Sequence, residues 1–223
     1  MEKQFEAVFF DLFFTLVEPL ETSRTEWQYL RISREEWEHS AEASELYIER
    51  ATGQLASSHE MIEAILARLK LPTSPRLVED VLAIRQQRMA GTLRMLEPDV
   101  IDVLLEMKKR GLKLGVISNA DVIDIDGWSS SYLAELIDST VFSCNHRMMK
   151  PEPAIYHAAL SELAVSAEKS LFVGDGGDEE LTGAKKVGMT TVRLSRFLDR
   201  GDLKQSSFVD CHVSSFQELL KLV

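Results

Sequence analysis

The sequence predicts an α/β protein: a doubly wound parallel sheet interrupted by a helical insert. Three observations carry this prediction. From residue 96 onward, short apolar runs alternate with helical patterns, the manner of parallel strands joined by crossover helices. One further strand-like run, residues 5 to 10, stands by itself near the beginning. Between the two lies a stretch of amphipathic helices containing no convincing strand. The sheet domain is therefore expected to be discontinuous, residues 1–17 with 96–223, and the α-helical insert to occupy 18–95.

Residues 5 to 10 are β-branched or aromatic enough for a buried strand that ends at Asp11, and Glu18-Pro19 closes the segment after it. Within the insert, Ser33-Arg34-Glu35-Glu36 and Ser57-Ser58-His59-Glu60 fit the capping box, and Ser74-Pro75 sets a cap residue before a proline at the first helical position. Three runs recur at helical spacing, Trp37, Ala41, Ile48 and Ala51, then Ile62, Ile65, Leu66 and Leu69, then Val78, Val81, Leu82 and Arg85. Their apolar members are expected to pack the insert's own core. Tyr47 and most of the insert's nine arginines are assigned to its solvated face, with Arg31, Arg34 and Arg50 placed to reach a ligand.

Pro98 starts the next helix and Gly111 ends it. Strands follow at Leu112 to Ser118, Val141 to Ser143, Ser170 to Val173 and Thr190 to Leu194, separated by helices near 132–137, 153–163 and 179–187. A last strand and helix close the chain.

Composition narrows the function. The 223 residues are 45% hydrophobic, enough for a folded core, and carry a formal net charge of -11 with no basic block that could track a phosphate backbone. Nucleic acid and anionic membrane are not expected partners. Met1-Glu2-Lys3-Gln4-Phe5-Glu6 lacks the pattern of a signal peptide, and Val8 to Val17 is too short for a membrane span of roughly 20 residues. With only Cys144 and Cys211, at no paired spacing, reduced thiols in a cytoplasmic protein are the expectation. Asp124-Ile125-Asp126-Gly127 resembles part of a calcium loop, but Val122 and Leu133 fall where its first and twelfth ligands belong. The five histidines show no ligand spacing.

Asp11 interrupts the apolar run Val8-Phe9-Phe10-Asp11-Leu12-Phe13-Phe14, a costly place for a charge unless it faces a cation or donor groups. Ligands bind such sheets at the carboxyl ends of strands. Four polar signals stand there: Asp11 with Thr15, Ser118-Asn119, Lys150-Pro151, and Gly174-Asp175 with Asp178, Glu179 and Glu180. An aspartate that attacks an anionic substrate needs its charge kept yet screened, which a divalent cation and a lysine together provide. Mg²⁺ suits the set, with Asp11 and Asp175 as ligands, the Phe13 carbonyl as a third oxygen, and Glu179 or Glu180 orienting bound water. Ser118 and the Asn119 amide would donate to a phosphoryl oxygen, Lys150 would offset charge, and Thr15 would hold one oxygen of Asp11.

These segments resemble those of the haloacid dehalogenase-like hydrolase superfamily: Phe10-Asp11-Leu12-Phe13-Phe14-Thr15-Leu16, Val116-Ile117-Ser118-Asn119, Met149-Lys150-Pro151, and Phe172-Val173-Gly174-Asp175 continuing through Glu180 to Gly183-Ala184 and Gly188-Met189. The resemblance implies a Rossmann-like core with a helical cap inserted after the first strand. It also implies Asp11 as nucleophile, Ser118 as hydroxyl, Lys150 as lysine, and Asp175 with Glu179 or Glu180 as the acidic metal motif.

One position departs from the superfamily's phosphatases, which carry a second aspartate two residues after the nucleophile as general acid and base. Here it is Phe13, which transfers no proton. The superfamily's haloacid dehalogenases also lack that aspartate, but need no metal and have an acid-poor last motif. Phosphonoacetaldehyde hydrolases use a cap lysine, and only Lys70 lies between Glu18 and Leu96, with no match around it. The leading expectation is thus a Mg²⁺-dependent phosphatase acting on a small phosphate monoester or acyl phosphate. The alternatives are a dehalogenase-like hydrolase and a protein that binds a phosphorylated ligand without turning it over.

Overall fold

The fold is taken from a computed structural model that describes residues 5–21, 24–55, 57–201 and 206–223. The reading made of Met1 to Gln4 lies outside these residues. Six strands, β1 (Ala7–Phe10), β2 (Lys113–Ser118), β3 (Ser139–Phe142), β4 (Ser170–Gly174), β5 (Thr190–Leu194) and β6 (Cys211–Val213), form one sheet in the order β3-β2-β1-β4-β5-β6. Every pairing is parallel. The chain winds outward from β1 to β3, then crosses back to β4 and winds out the other way. Connections therefore diverge between β1 and β4, where a crevice opens at the carboxyl ends.

Among the described residues six helices lie between β1 and β2, and the first five form the insert: α1 (Glu26–Leu30), α2 (Arg34–Ala41), α3 (Ser44–Ala51), α4 (Ser58–Arg68) and α5 (Pro75–Arg94). The sheet's own helices are α6 (Pro98–Lys109), α7 (Tyr132–Leu136), α8 (Ser143–His146), α9 (Pro153–Leu163), α10 (Glu180–Lys186) and α11 (Phe216–Leu219). Side chains of β1 alternate between the two faces, as the pleat requires. Val8 and Phe10 join Val100, Leu104, Met107 and Phe216 beneath α6 and α11, whereas Ala7 and Phe9 join Ile155, Tyr156, Leu160 and Leu181 beneath α9 and α10. Both faces are covered, which is why β1 reads as an unbroken apolar run. The insert has a separate core of Trp37, Leu46, Met61, Ile62, Ile65 and Val81.

Of the expected helix caps, one forms in full, one on one side only and one not at all. Ser33 and Glu36 complete a reciprocal capping box, and Ser57 accepts from the Glu60 amide at 3.4 Å. Ser74 makes no side-chain cap bond, so α5 relies on Pro75 at its first position. Strand β3 runs over Ser139–Phe142, earlier than the expected 141–143, because it is an edge strand whose first residues need not be apolar. No described helix is long and apolar enough to cross a membrane.

Candidate active site

Asp11 follows β1, Ser118 ends β2 and Asp175 follows β4, so three adjacent strands deliver these side chains to the same edge. The Asp11 amide still donates to Val173 O at 2.9 Å, which extends the β1–β4 pairing and fixes where its carboxylate emerges. Glu180 enters as the first residue of α10, and Lys150 from the loop after α8. All five are buried.

Lys150 joins two of the carboxylates. Its Nζ lies 2.5 Å from Asp11 Oδ1 and 2.5 Å from Glu180 Oε2. Thr15 Oγ1 donates to the other Asp11 oxygen at 3.3 Å. The Gly176 amide donates to Glu180 Oε1 at 2.9 Å and the Gly177 amide to Asp175 Oδ1 at 3.0 Å. Gly174 makes the packing possible, since a Cβ there would stand 2.1 Å from Glu180 Oε1.

Oxygens of Asp11, Asp175 and Glu180 all lie within 4.8 Å of one another. Burial pushes the Asp11 carboxyl above its ordinary range; Lys150 opposes this and Asp175 adds to it. Glu180 is raised as well, by burial and by the charge of Asp11. Burial alone would lower Lys150, but Asp11 and Glu180 hold it well above the ordinary lysine value, so it stays cationic. Such a buried cluster of hard oxygen donors is short of positive charge, and that is the donor set a divalent cation fits. Ser118 Oγ is buried without a hydrogen-bond partner among the described residues, which suits a donor meant for a ligand.

The remaining residues divide. Asn119 clamps the lysine loop: Oδ1 accepts from the Lys150 amide at 2.7 Å, and Nδ2 donates to Lys150 O at 3.0 Å and to Asp178 Oδ2 at 2.8 Å. Phe13 is half-buried against the sheet core and bridges to Val17. Glu179 does not join the cluster. It is exposed, because Asp178 (φ 49°) and Glu179 (φ 52°) both take left-handed backbone and turn their side chains apart from Glu180. A cleft of about 390 Å³ beside Phe14, Leu16, Arg34, Met95 and Phe197 is lined by none of the three carboxylates, so it is a separate feature.

The insert reaches this edge through side chains assigned to its solvated face. Tyr47 OH donates to Asp178 Oδ2 at 2.5 Å, and burial with the Asp178 charge holds its hydroxyl protonated. Arg50, expected to reach a ligand, is instead buried against Asp121, which Arg85 also contacts at 3.3 Å. Arg88 forms a buried double-pronged pair with Glu26. Arg31 is exposed and Arg34 pairs with Glu21 and Glu38. Arg200 Nε donates to Asp175 Oδ2 at 2.8 Å. No motif surrounds Arg200, and Tyr47 sits on a helix whose periodicity does not reveal its neighbour; only the charge spent on an arginine inside the α5 pattern at Arg85 hinted at a buried partner.

The chain is similar to several proteins of known name. A glyceraldehyde 3-phosphate phosphatase of Methanocaldococcus jannaschii is 31% identical over 129 residues, 56% of this chain and 55% of that protein, so the match spans about half its length. A glyceraldehyde 3-phosphate phosphatase of Methanopyrus kandleri is 26% identical over 187 residues, covering 80% of this chain and 79% of the relative. The fold is shared with the crystal structure of a 2-haloacid dehalogenase from Pseudomonas syringae pv. Tomato, at a TM-score of 0.70 and 18% identity over 98% of this chain and 97% of that one. The family model for the haloacid dehalogenase-like hydrolases matches residues 5–188, nearly all of the chain that carries the cluster, and the chain accordingly belongs to that family of hydrolases.

Proposed function

We propose that the chain is a phosphatase in which Asp11 attacks a small phosphate monoester or acyl phosphate. The observation that carries this reading is the cluster of Asp11, Asp175 and Glu180 around Lys150, an arrangement of buried oxygen donors with little purpose in metal-free chemistry. The relatives named as phosphatases support it.

Asp11 is the nucleophile. One of its oxygens attacks phosphorus in line, the bond to the leaving oxygen breaks, and water then hydrolyses the aspartyl-phosphate. Lys150 screens the charge of Asp11 from the incoming anion, and Thr15 restrains the carboxylate. Ser118 Oγ and the Asn119 amide donate to a phosphoryl oxygen. Mg²⁺ held by Asp11, Asp175, Glu180 and the Phe13 carbonyl would supply neutralising charge to the phosphoryl group when bound. Helices α1–α5 act as a cap that excludes water and sets specificity, with the remainder of the chain as the core. The ligand is a small phosphorylated molecule, with no nucleic acid or membrane, in the cytoplasm. Phe13 gives the leaving group no proton, so activated leaving groups are preferred.

A second reading, displacement of halide from carbon by Asp11, is favoured by Phe13. Hydrolysis of an activated aryl phosphate, with Mg²⁺ and with chelator, beside an Asp11→Asn control, tests the proposal. Mg²⁺-dependent turnover lost in the control is the expected result. Halide release from a 2-haloacid without metal would favour the second reading, and turnover of neither substrate sinks both.

A further inference from the structure

Asp175 already has a cationic partner of its own. Arg200 Nε and Nη2 each lie 2.8 Å from Asp175 Oδ2, while Oδ1 accepts from the Gly177 amide. Both oxygens of this carboxylate are thus engaged within the protein. The placement of Arg200 is built into the chain: the preceding residue, Asp199, accepts from Arg193 of β5 at 2.7 Å and from the Gly201 amide at 3.0 Å. Gly177 leaves room for the guanidinium, since a Cβ there would stand 3.0 Å from Arg200 Nη2.

The two cations at the cluster differ in their access to water. Lys150 is 2% exposed and bridges two carboxylates, whereas the Arg200 side chain keeps 35% of its surface exposed and holds one oxygen. A guanidinium at that exposure can exchange a carboxylate for water at little cost. Lys150 has no such exit.

We infer that Arg200 is a displaceable counter-cation of the metal site: it neutralises Asp175 in the metal-free protein and yields Oδ2 to a divalent ion, so that it sets the affinity of the site. This rests on reading Asp11, Asp175 and Glu180 as the cation site. Charge supports the exchange. Three ionised carboxylates against Lys150 leave two negative charges, which one divalent ion neutralises, and the charge of Arg200 is then surplus beside it. The same arginine explains how Asp175 remains paired while buried when no metal is present.

The test is Mg²⁺ titration by calorimetry of the wild-type chain, Arg200→Ala, Arg200→Lys and Asp175→Asn, with thermal unfolding measured in the absence and presence of Mg²⁺. Arg200→Ala is expected to bind Mg²⁺ about fivefold to tenfold more tightly, the effect of removing one partly screened competing charge. Arg200→Lys should fall between it and wild type. Metal-free Arg200→Ala should unfold at lower temperature than wild type and recover the difference with Mg²⁺. Unchanged or weaker binding in Arg200→Ala, while Asp175→Asn abolishes binding, overturns the role of Arg200 and leaves the cation site standing. Binding by Arg200→Ala but not by wild type supports the role in its strongest form. Absence of binding in all four proteins overturns the inference together with the metal reading.

Discussion

The hydroxyl of Tyr47 stands 2.5 Å from Asp178 Oδ2, tying a helix of the insert to the loop between Asp175 and Glu180. The same Asp178 oxygen accepts from Asn119 Nδ2 at 2.8 Å, and Asn119 holds both the amide and the carbonyl of Lys150. A continuous hydrogen-bonded chain therefore runs from the insert to the lysine that grips Asp11. It also anchors Asp178, the first of two successive left-handed residues, a backbone that persists only where its surroundings over-determine it.

Removing only the Tyr47 hydroxyl tests whether this chain matters to turnover. Tyr47→Phe is expected to lower kcat for an aryl phosphate about tenfold, equivalent to roughly 1.4 kcal/mol, while stability in urea changes by about 1 kcal/mol or less. Asp178→Asn keeps an acceptor oxygen and should retain most activity, whereas Asp178→Ala should behave as Tyr47→Phe does. Equal kcat in Tyr47→Phe and wild type would show that the contact only docks the insert.

Lys150 is the cation that bridges the buried carboxylates of Asp11 and Glu180. Lys150→Met keeps most of the volume but leaves Asp11 and Glu180 uncompensated, a change that typically costs about 3–5 kcal/mol for a buried pair. Calorimetric unfolding should show a large loss of Tm without metal and a larger Mg²⁺-induced rise than in wild type. A variant that loses stability but gains nothing more from Mg²⁺ than wild type would argue that the cluster does not take up the cation.

Asp121 joins the insert to the loop that follows Ser118. Its Oδ2 receives Arg50 and Arg85, and its Oδ1 receives the amides of Ile123 at 2.8 Å and Asp124 at 3.0 Å. The two guanidinium groups hold Asp121 below the usual carboxylate range despite its burial. Asp121→Asn retains the amide contacts but strands buried positive charge, and is expected to destabilise by about 3–5 kcal/mol in chemical denaturation. A loss under 1 kcal/mol would mean that Asp124, 2.9 Å from Arg85, takes over the pairing.

Much of this site could be read without coordinates because it is anomalous in sequence. Asp11 stands in an apolar run that only a compensated carboxylate can occupy, and Ser118 and Asp175 end or follow strand-like segments, while Lys150 comes from the loop after α8. The choice between Glu179 and Glu180 could not be read, since it depends on the backbone at Asp178 and Glu179, and Asp-Glu-Glu does not itself encode left-handed geometry. Periodicity places Tyr47 and Arg50 on a helix, but which element a helix face meets is a tertiary fact. The spacing sets Arg85 on the same face of α5 as Val78, Val81 and Leu82, but that this face meets Asp121 and Asp124 is not written in the spacing. Arg200 lies beyond any motif, and its role depends on Asp199 and Gly177 bringing it to Asp175.

Phe13 offers the most direct test of what limits the chemistry. It follows Asp11 by two residues, sits half-buried against the sheet core and bridges to Val17, so its side chain can be exchanged with little disturbance to the backbone around it. Phe13→Asp introduces a carboxyl that can protonate a leaving oxygen, whereas Phe13→Asn introduces the shape without the proton transfer. General acid catalysis is typically worth about 10² to 10⁴ in rate, and its benefit grows with the basicity of the leaving group. Phe13→Asp is therefore expected to raise hydrolysis of an alkyl phosphate by about 10² or more, and to change that of an activated aryl phosphate by about tenfold at most, because an activated phenolate departs unaided. Phe13→Asn should do neither. The ratio of the two rates is the decisive quantity, since a general effect on folding or metal uptake moves both substrates together and leaves the ratio unchanged.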